Sequence, residues 1–295
     1  LKFNGPSSLI LAILPQAGIG NKLSVWSRAL IFSKLNNLQL YTFGWINYRP
    51  KNWLKLNLKK RVYFNDFNTL KISDYYSIIL NLLFSKITLN PLSQDLAKPN
   101  SIYVYNKYDY NFTDLKLHRK LIIDSLVSVL SDHRAKEIRK LKPPLIGIHI
   151  RRDDFVKIGY ATPLSFYVHV LKQIRVKIGW CIPATIYSDG LESELKDILN
   201  LPQVELAEQK SDILDLIELS QSRILITSVG SSFSYWASFI SKGITINYQK
   251  EWRQYIKSDS NDVISLEWYI DYQNDFPSLL VDQIKEQLDE SKLLA

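Results

Sequence analysis

The chain is expected to fold as an α/β protein built on parallel, doubly wound sheets. Three observations lead there. Through residues 145–248, short β-branched runs alternate with segments of helical periodicity, and strands separated in this way run parallel because a parallel connection needs a crossover. Residues 8–45 show the same pattern once, as a βαβ opening. The run Leu145-Ile146-Gly147-Ile148-His149-Ile150 lacks regular polar alternation, as strands buried on both faces do, and it ends abruptly in Arg151-Arg152-Asp153-Asp154.

Taken in order, residues 8–14 read as a strand, 18–20 as a turn, 22–35 as a helix and 39–45 as a second strand. Residues 46–118 are aromatic and Asn-rich with poor periodicity, and no element is assigned to them. Leu121, Ile122, Leu126, Val129 and Leu130 have helical spacing, and Pro143-Pro144 closes the segment. One helix over 118–141 is therefore expected, as a hinge between domains 1–142 and 143–295. The second domain is expected to hold strands 145–150, 184–188, 204–207, 223–228 and 244–248, separated by helices 164–177, 191–199, 212–221 and 232–241.

Ligands of open α/β sheets bind beyond the carboxyl ends of the strands. Arg151 and Arg152 stand at such an end, and a guanidinium offers phosphate oxygens a rigid fork of donors that never loses its charge. The competing reading is that both arginines pair with Asp153 and Asp154. A second strand end, after residues 223–228, opens through Val229-Gly230-Ser231-Ser232-Phe233 into a helix, whose first amides and positive dipole end attract anions. Taken alone, this is better read as an ordinary Ser cap on a buried helix. Two anion-friendly strand ends are best explained by one phosphorylated ligand. No Asp-x-Asp occurs, and the four His and one Cys have no ligand spacing, so no metal is expected.

Three motifs, His149-x-Arg151-Arg152-x-Asp154, Tyr187-Ser188-Asp189 and Ser231-Ser232-Phe233-Ser234-Tyr235-Trp236-Ala237, in this order and at these separations, resemble the inverting α-1,2-fucosyltransferases. More distantly they resemble the α-1,6- and protein O-fucosyltransferases. Gln16-Ala17-Gly18-Ile19-Gly20-Asn21-Lys22-Leu23 is similar to the family's Gly-x-Gly-Asn turn, and Ile244-Thr245-Ile246-Asn247, Glu251-Trp252 and Glu267-Trp268 to its closing strand and tryptophan segments. The resemblance covers residues 8–40 and 143–270.

It implies a GT-B-like fold of two facing Rossmann-like domains, and transfer of fucose from GDP-fucose, the donor substrate, to a glycan hydroxyl, with no cofactor. Arg151 and Arg152 are then expected on the departing diphosphate, with Ser231, Ser232 and Phe233 on its other side. Asp189 is expected on the donor edge of guanine, with capping of the next helix as its alternative; Gly190 stands where the family often has a second Asp. His149 is expected either against the base or as a satisfied core residue. Asp154 matches the family's Asp, as general base or as a partner that orients Arg152, while Asp153 occupies a slot where Gly is usual. Gly18, Gly20 and Asn21 match positions near the sugar and acceptor, Asn21 having a helix cap as its plain alternative.

Composition is consistent with this. A formal charge of +8 and a pI near 9.2 suit an anionic partner. Basic residues concentrate at 49–61 around Trp53 and Leu54, a solvated face or a contact with anionic lipid. A nucleic-acid reader would gather its cations with stacking aromatics, whereas the informative arginines here end a buried strand, so no nucleic acid is expected. The single cysteine, Cys181, excludes an internal disulfide and points to a reducing compartment. It is expected to be packed. Residues 9–14 are too short an apolar run to span a bilayer. The expected location is a bacterial cytoplasm, with peripheral contact at the inner membrane face as an extension of the lipid reading.

Overall fold

The computed structural model describes residues 8–47, 62–249, 255–257, 266–271 and 274–292. The chain divides into two compact units, Leu1–Arg139 and Lys140–Ala295. Each carries a wholly parallel sheet with Rossmann-like crossovers, so the α/β class with two such units is the observed one.

The first unit holds β1 (Leu9–Ile13), α1 (Ile19–Asn36), β2 (Gln39–Phe43), α2 (Ile72–Phe84), β3 (Lys86–Leu89), β4 (Ser101–Tyr105), α3 (Thr113–Lys116), α4 (Arg119–Ser128) and α5 (Asp132–Ile138). Its sheet order is β2-β1-β4-β3. α1 starts at Ile19, earlier than the sequence suggested, with Gly18 as its N-cap in extended conformation. Asn37, at φ 50°, ends it by donating its amide to Ser33 O, the left-handed stop that Asn tolerates. Phe32 packs on Tyr103 and Tyr105 of β4, at ring separations of 4.8 and 6.0 Å. The fully buried Lys22 donates to Pro15 O at 2.9 Å and to Gly44 O, tying together the loops that leave β1 and β2.

The single helix expected at 118–141 is two. Leu130 leaves the helix to form an antiparallel bridge with Phe67, and Ser131 restarts it by capping Arg134 N. Arg134 then pairs with the buried Asp66 at 2.5 Å, which fixes the break. α2 escaped the sequence reading because ISDYYSIILNLLF has only a narrow polar stripe, Ser73, Asp74, Ser77 and Asn81, in a segment flanked by residues of poor periodicity.

The second unit holds β5 (Ile146–Ile150), α6 (Asp153–Lys157), α7 (Leu164–Ile178), β6 (Ala184–Ser188), a 3-10 turn (Glu192–Glu194), α8 (Lys196–Leu199), β7 (Val204–Leu206), α9 (Asp212–Ser220), β8 (Ile224–Ile226), α10 (Ser232–Ile240), β9 (Ile244–Tyr248), β10 (Glu267–Ile270) and α11 (Ser278–Lys292). The helix expected at 191–199 is thus a 3-10 turn and a single α-turn, and β10 with α11 extends the sheet beyond the last expected strand. The order is β10-β9-β8-β5-β6-β7. The chain therefore starts in the middle, winds out through β6 and β7, then returns to the other side of β5. The reversal lies between β5 and β8, where sheets of this order bind ligands.

β5 is buried throughout, and its Ile146, Ile148 and Ile150 join Phe166, Val170, Ile186, Ile224 and Ile226 in one core. A Cβ on Gly147 would lie 2.2 Å from Ser222 Oγ and 2.8 Å from Leu219 Cδ1, so only glycine lets the end of α9 come this close to the strand. Cys181 is exposed rather than packed, because in the turn before β6 it is the neighbouring Ile182 that enters the core. The basic stretch 49–61 and Glu251-Trp252 lie outside the described residues. No helix among the described residues is long and apolar enough to cross a membrane.

Candidate functional site

At the reversal point the ends of β5, β6 and β8 are fastened to one another by side chains. Ser228 has one hydroxyl proton, and it goes to His149 O at 2.9 Å. Its oxygen accepts from Arg151 N at 2.8 Å, and from the Tyr167 hydroxyl at 2.7 Å because that proton is already used. Tyr167 is fully buried, and desolvation pushes its pKa up to about 12 against the hydrogen bonds it shares with Ser228 and Thr162 and the nearby Arg152. It therefore stays a neutral donor. From the β6 side, Ser188 Oγ donates to Ile150 O at 2.7 Å and Asp189 Oδ1 accepts from Arg152 N at 2.8 Å. The backbone from His149 to Arg152 is held on both sides.

The two sequence motifs meet here. His149, 7% exposed, lies with Nδ1 2.7 Å from Ser234 Oγ, and its ring stacks on Phe233 at 4.8 Å. Ser234 Oγ also accepts from Ser228 N at 3.0 Å, so the start of α10 is bound to both strand ends. His149 is thus packed and hydrogen-bonded within the protein. Gly230, at φ 71°, makes the turn that aims α10, and a Cβ there would come within 3.3 Å of Phe155 in α6. Ser231 caps the helix through its own hydroxyl, which accepts from Ser234 N. That leaves the Ser232 and Phe233 amides, which have no intrahelical acceptor, facing the helix N-terminus.

The arginine pair divides its tasks. Arg151 Nη2 lies 2.5 Å from Asp154 Oδ1 and its Nη1 2.6 Å from Asp189 Oδ2, while the guanidinium sits 5.3 Å over the Phe155 ring. Arg152 has no ion pair among the described residues, and its buried Nε has no hydrogen-bond partner. Pairing with neighbouring acids is therefore seen for Arg151 and, among the described residues, not for Arg152. Asp154 partners Arg151, not Arg152 as its orienting role had required. The exposed Asp153 faces Lys157 at 3.7 Å, and instead of disrupting the turn it starts α6.

Asp189 does not cap the next segment, because Leu191 N is taken by Glu194 Oε2 at 2.8 Å. Both its oxygens hold the arginine strand end instead. A Cβ on Gly190 would fall 2.7 Å from Arg152 Cγ and 2.9 Å from Arg152 Cβ, so this glycine is the space through which Arg152 passes. Carboxylate oxygens of Asp153, Asp154 and Asp189 lie within 4.8 Å of one another, a spacing that could hold a cation. The Arg151 guanidinium already bridges two of the three.

In the first unit, Gly18 caps α1 and Gly20 lies inside its first turn. Asn21 is the third helical residue, so it is not the cap. Its side chain hydrogen-bonds toward the Tyr110 hydroxyl, and its buried Oδ1 has no partner, an acceptor suited to an incoming hydroxyl. Tyr167, Ser228, Thr162 and Ser188 had no assigned site role from sequence. Ser228 and Ser188 carried a signal, each as the residue ending a strand, beside the Gly-Ser-Ser turn and within Tyr187-Ser188-Asp189.

No protein-family model matches the chain, and no curated protein matches its sequence. Among solved structures, that of POFUT1 in complex with GDP is similar at a TM-score of 0.50 and 12% identity, covering 81% of this chain and 96% of that one. NodZ alpha-1,6-fucosyltransferase soaked with GDP-fucose also matches (TM-score 0.48, 12% identity, 83% of this chain, 96% of that one). So does E. coli heptosyltransferase WaaC with ADP-2-deoxy-2-fluoro heptose (TM-score 0.44, 10% identity, 96% and 99%). At such identities the likeness, which rests on the first of these, is one of fold: two parallel-sheet, Rossmann-like units of the kind a GT-B-like chain requires.

Proposed function

We propose that this chain is a fucosyltransferase that moves fucose from GDP-fucose to a glycan hydroxyl, galactose O2 being the assigned position, with inversion and without a metal ion. The observation that carries it is Arg152, a guanidinium with no carboxylate partner among the described residues, standing at the end of β5, the strand that neighbours β8, from which the Gly-Ser-Ser turn opens into α10. The sequence motifs support this reading, as does the fold likeness to a protein solved with GDP.

As the sugar leaves, negative charge grows on the diphosphate, and the largest demand is preorganised positive charge. Arg152, with the Ser232 and Phe233 amides and the Ser232 hydroxyl, meets it. Arg151 and Asp189 act by fixing that strand end, and the guanine contact first read for Asp189 would have to share oxygens already in use. His149 supports the Ser234 turn. Asp154, 58% exposed at its side chain, is assigned the proton of the attacking hydroxyl. Gly18, Gly20 and Asn21 are assigned to the sugar and acceptor side. The acceptor is taken to be a glycan or lipid-linked oligosaccharide, met in the cytoplasm at the inner membrane face. The Arg151 bridge between Asp154 and Asp189 supports metal-free operation, because it supplies the charge a cation would bring.

Thermal shift against GDP-fucose, GDP, UDP and CMP, followed by transfer assays in excess EDTA, tests the reading. GDP and GDP-fucose should stabilise the protein by mass action while UDP and CMP do not, and transfer should persist in chelator. Equal stabilisation by UDP refutes the guanine donor. Activity lost in EDTA and restored by Mg²⁺ or Mn²⁺ refutes metal independence.

A further inference from the structure

We propose that α2 and β3 form an interface between two copies of this chain, paired about a two-fold axis at the open edge of the first sheet. α2 carries its polar residues Ser73, Asp74, Ser77 and Asn81 along one side and apolar residues around the rest, yet of the apolar ones only Ile78 is buried. Ile72, Tyr76, Leu83 and Phe84 are 77, 67, 69 and 69% exposed. Phe84 leads through Ser85 into β3, the outermost strand, in which all four residues are exposed, Ile87 by 57% and Leu89 by 62%. With aromatic side chains carrying ~150–250 Å² each, the apolar surface of the two elements is on the order of 1,000 Å² per copy. A stable interface of standard size takes about 800 Å² from each partner, and monomers rarely leave so much apolar surface in one patch.

The identity of the occupant follows from charge and from the backbone. A helix that lies on anionic lipid flanks its apolar face with Lys and Arg, but α2 contains neither and carries one acid, Asp74. β3 pairs with β4 on one side and, among the described residues, has no strand neighbour on the other. Lipid cannot accept hydrogen bonds from that open edge, whereas a second β3 running antiparallel to it can. A two-fold interface presents the same patch twice, so a nearly uncharged patch suits it. With the axis between Ile87 and Thr88, Lys86 faces Leu89 of the second copy, and the two ammonium groups stay apart.

Sedimentation velocity of the full chain across the micromolar range tests the proposal, with the variants Leu83→Glu and Ile87→Lys. The wild type should be a dimer, and each variant should raise its dissociation constant by about 100-fold or more, as loss of a central contact does. Far-UV circular dichroism and thermal unfolding of the monomeric variants should stay near wild type. If Leu83→Glu does not fold, Ile87→Lys at the exposed edge still decides. A monomeric wild type overturns the proposal, as does a dimer that persists in the variants. A chain that is monomeric in solution but floats with phosphatidylglycerol vesicles, and loses that binding in Leu83→Glu, also overturns it and assigns the face to lipid.

Discussion

Replacing Arg152 by Lys keeps the charge and removes the planar fork, so it separates a ligand clamp from a structural cation. Arg152 has no ion pair among the described residues, and its only bond to Asp189 is through the backbone amide, which the substitution leaves in place. Because the guanidinium loses no hydrogen bond or ion pair within the protein, folding should change by no more than about 1 kcal/mol, a shift of roughly 2–4 °C or less in Tm for a chain of this size. If the guanidinium meets the leaving diphosphate, the loss in turnover should instead match removal of one preorganised donor, about 10²-fold or more, equivalent to ~2.7 kcal/mol of transition-state stabilisation. Arg151→Lys supplies the contrast. Its guanidinium bridges Asp154 and Asp189 at 2.5 and 2.6 Å, so this change should lower stability by roughly 1–2 kcal/mol, the partial exposure of Asp154 keeping the figure below that of a buried pair. Initial-rate kinetics and thermal melts on the same preparations measure both quantities. An Arg152→Lys variant that melts several degrees lower yet turns over normally would refute the reasoning, because it would make Arg152 a structural residue.

Gly190→Ala places a Cβ against the root of Arg152, at 2.7–2.9 Å, so it should abolish stabilisation by GDP while leaving the far-UV spectrum unchanged; retained GDP stabilisation would show that Arg152 is not the clamp. Asp189→Asn frees Arg151 from one of its two acids and should weaken thermal stabilisation by GDP and by inorganic pyrophosphate together. Loss confined to GDP would restore the guanine contact as its main role. Tyr167→Phe removes a buried donor to Ser228 and should cost about 1 kcal/mol of stability, read as a fall in Tm at neutral pH. Because folding raises the Tyr167 pKa from 10.0 to about 12, its contribution is full below pH 10 and fades as the pH rises toward about 12. Alkaline melts of the Phe variant should therefore fall less steeply than those of the wild type across that window.

The strand and helix periods were legible in sequence because they report burial on a regular backbone. Residues 145–150 and 244–248 were readable from apolar runs that only a sheet covered on both faces needs, and the start of α10 from its small-residue turn. The sequence also marked which residues could meet an anion. It did not show α2, whose polar stripe of Ser73, Asp74, Ser77 and Asn81 is narrow and lies in a segment of poor periodicity, nor the break at Leu130, which depends on a bridge to Phe67 far away along the chain. Tertiary structure alone decided the strand order that puts β5 beside β8, and with it the meeting of His149 with Ser234 and of Arg151 with Asp189. It alone also separated two adjacent arginines into one held by two carboxylates and one with no ion pair among the described residues. Local sequence constrains dihedral angles and faces, whereas a partner's identity depends on which distant side chain packing brings within a few ångströms, and at residues 151 and 152 that is the neighbouring end of β6.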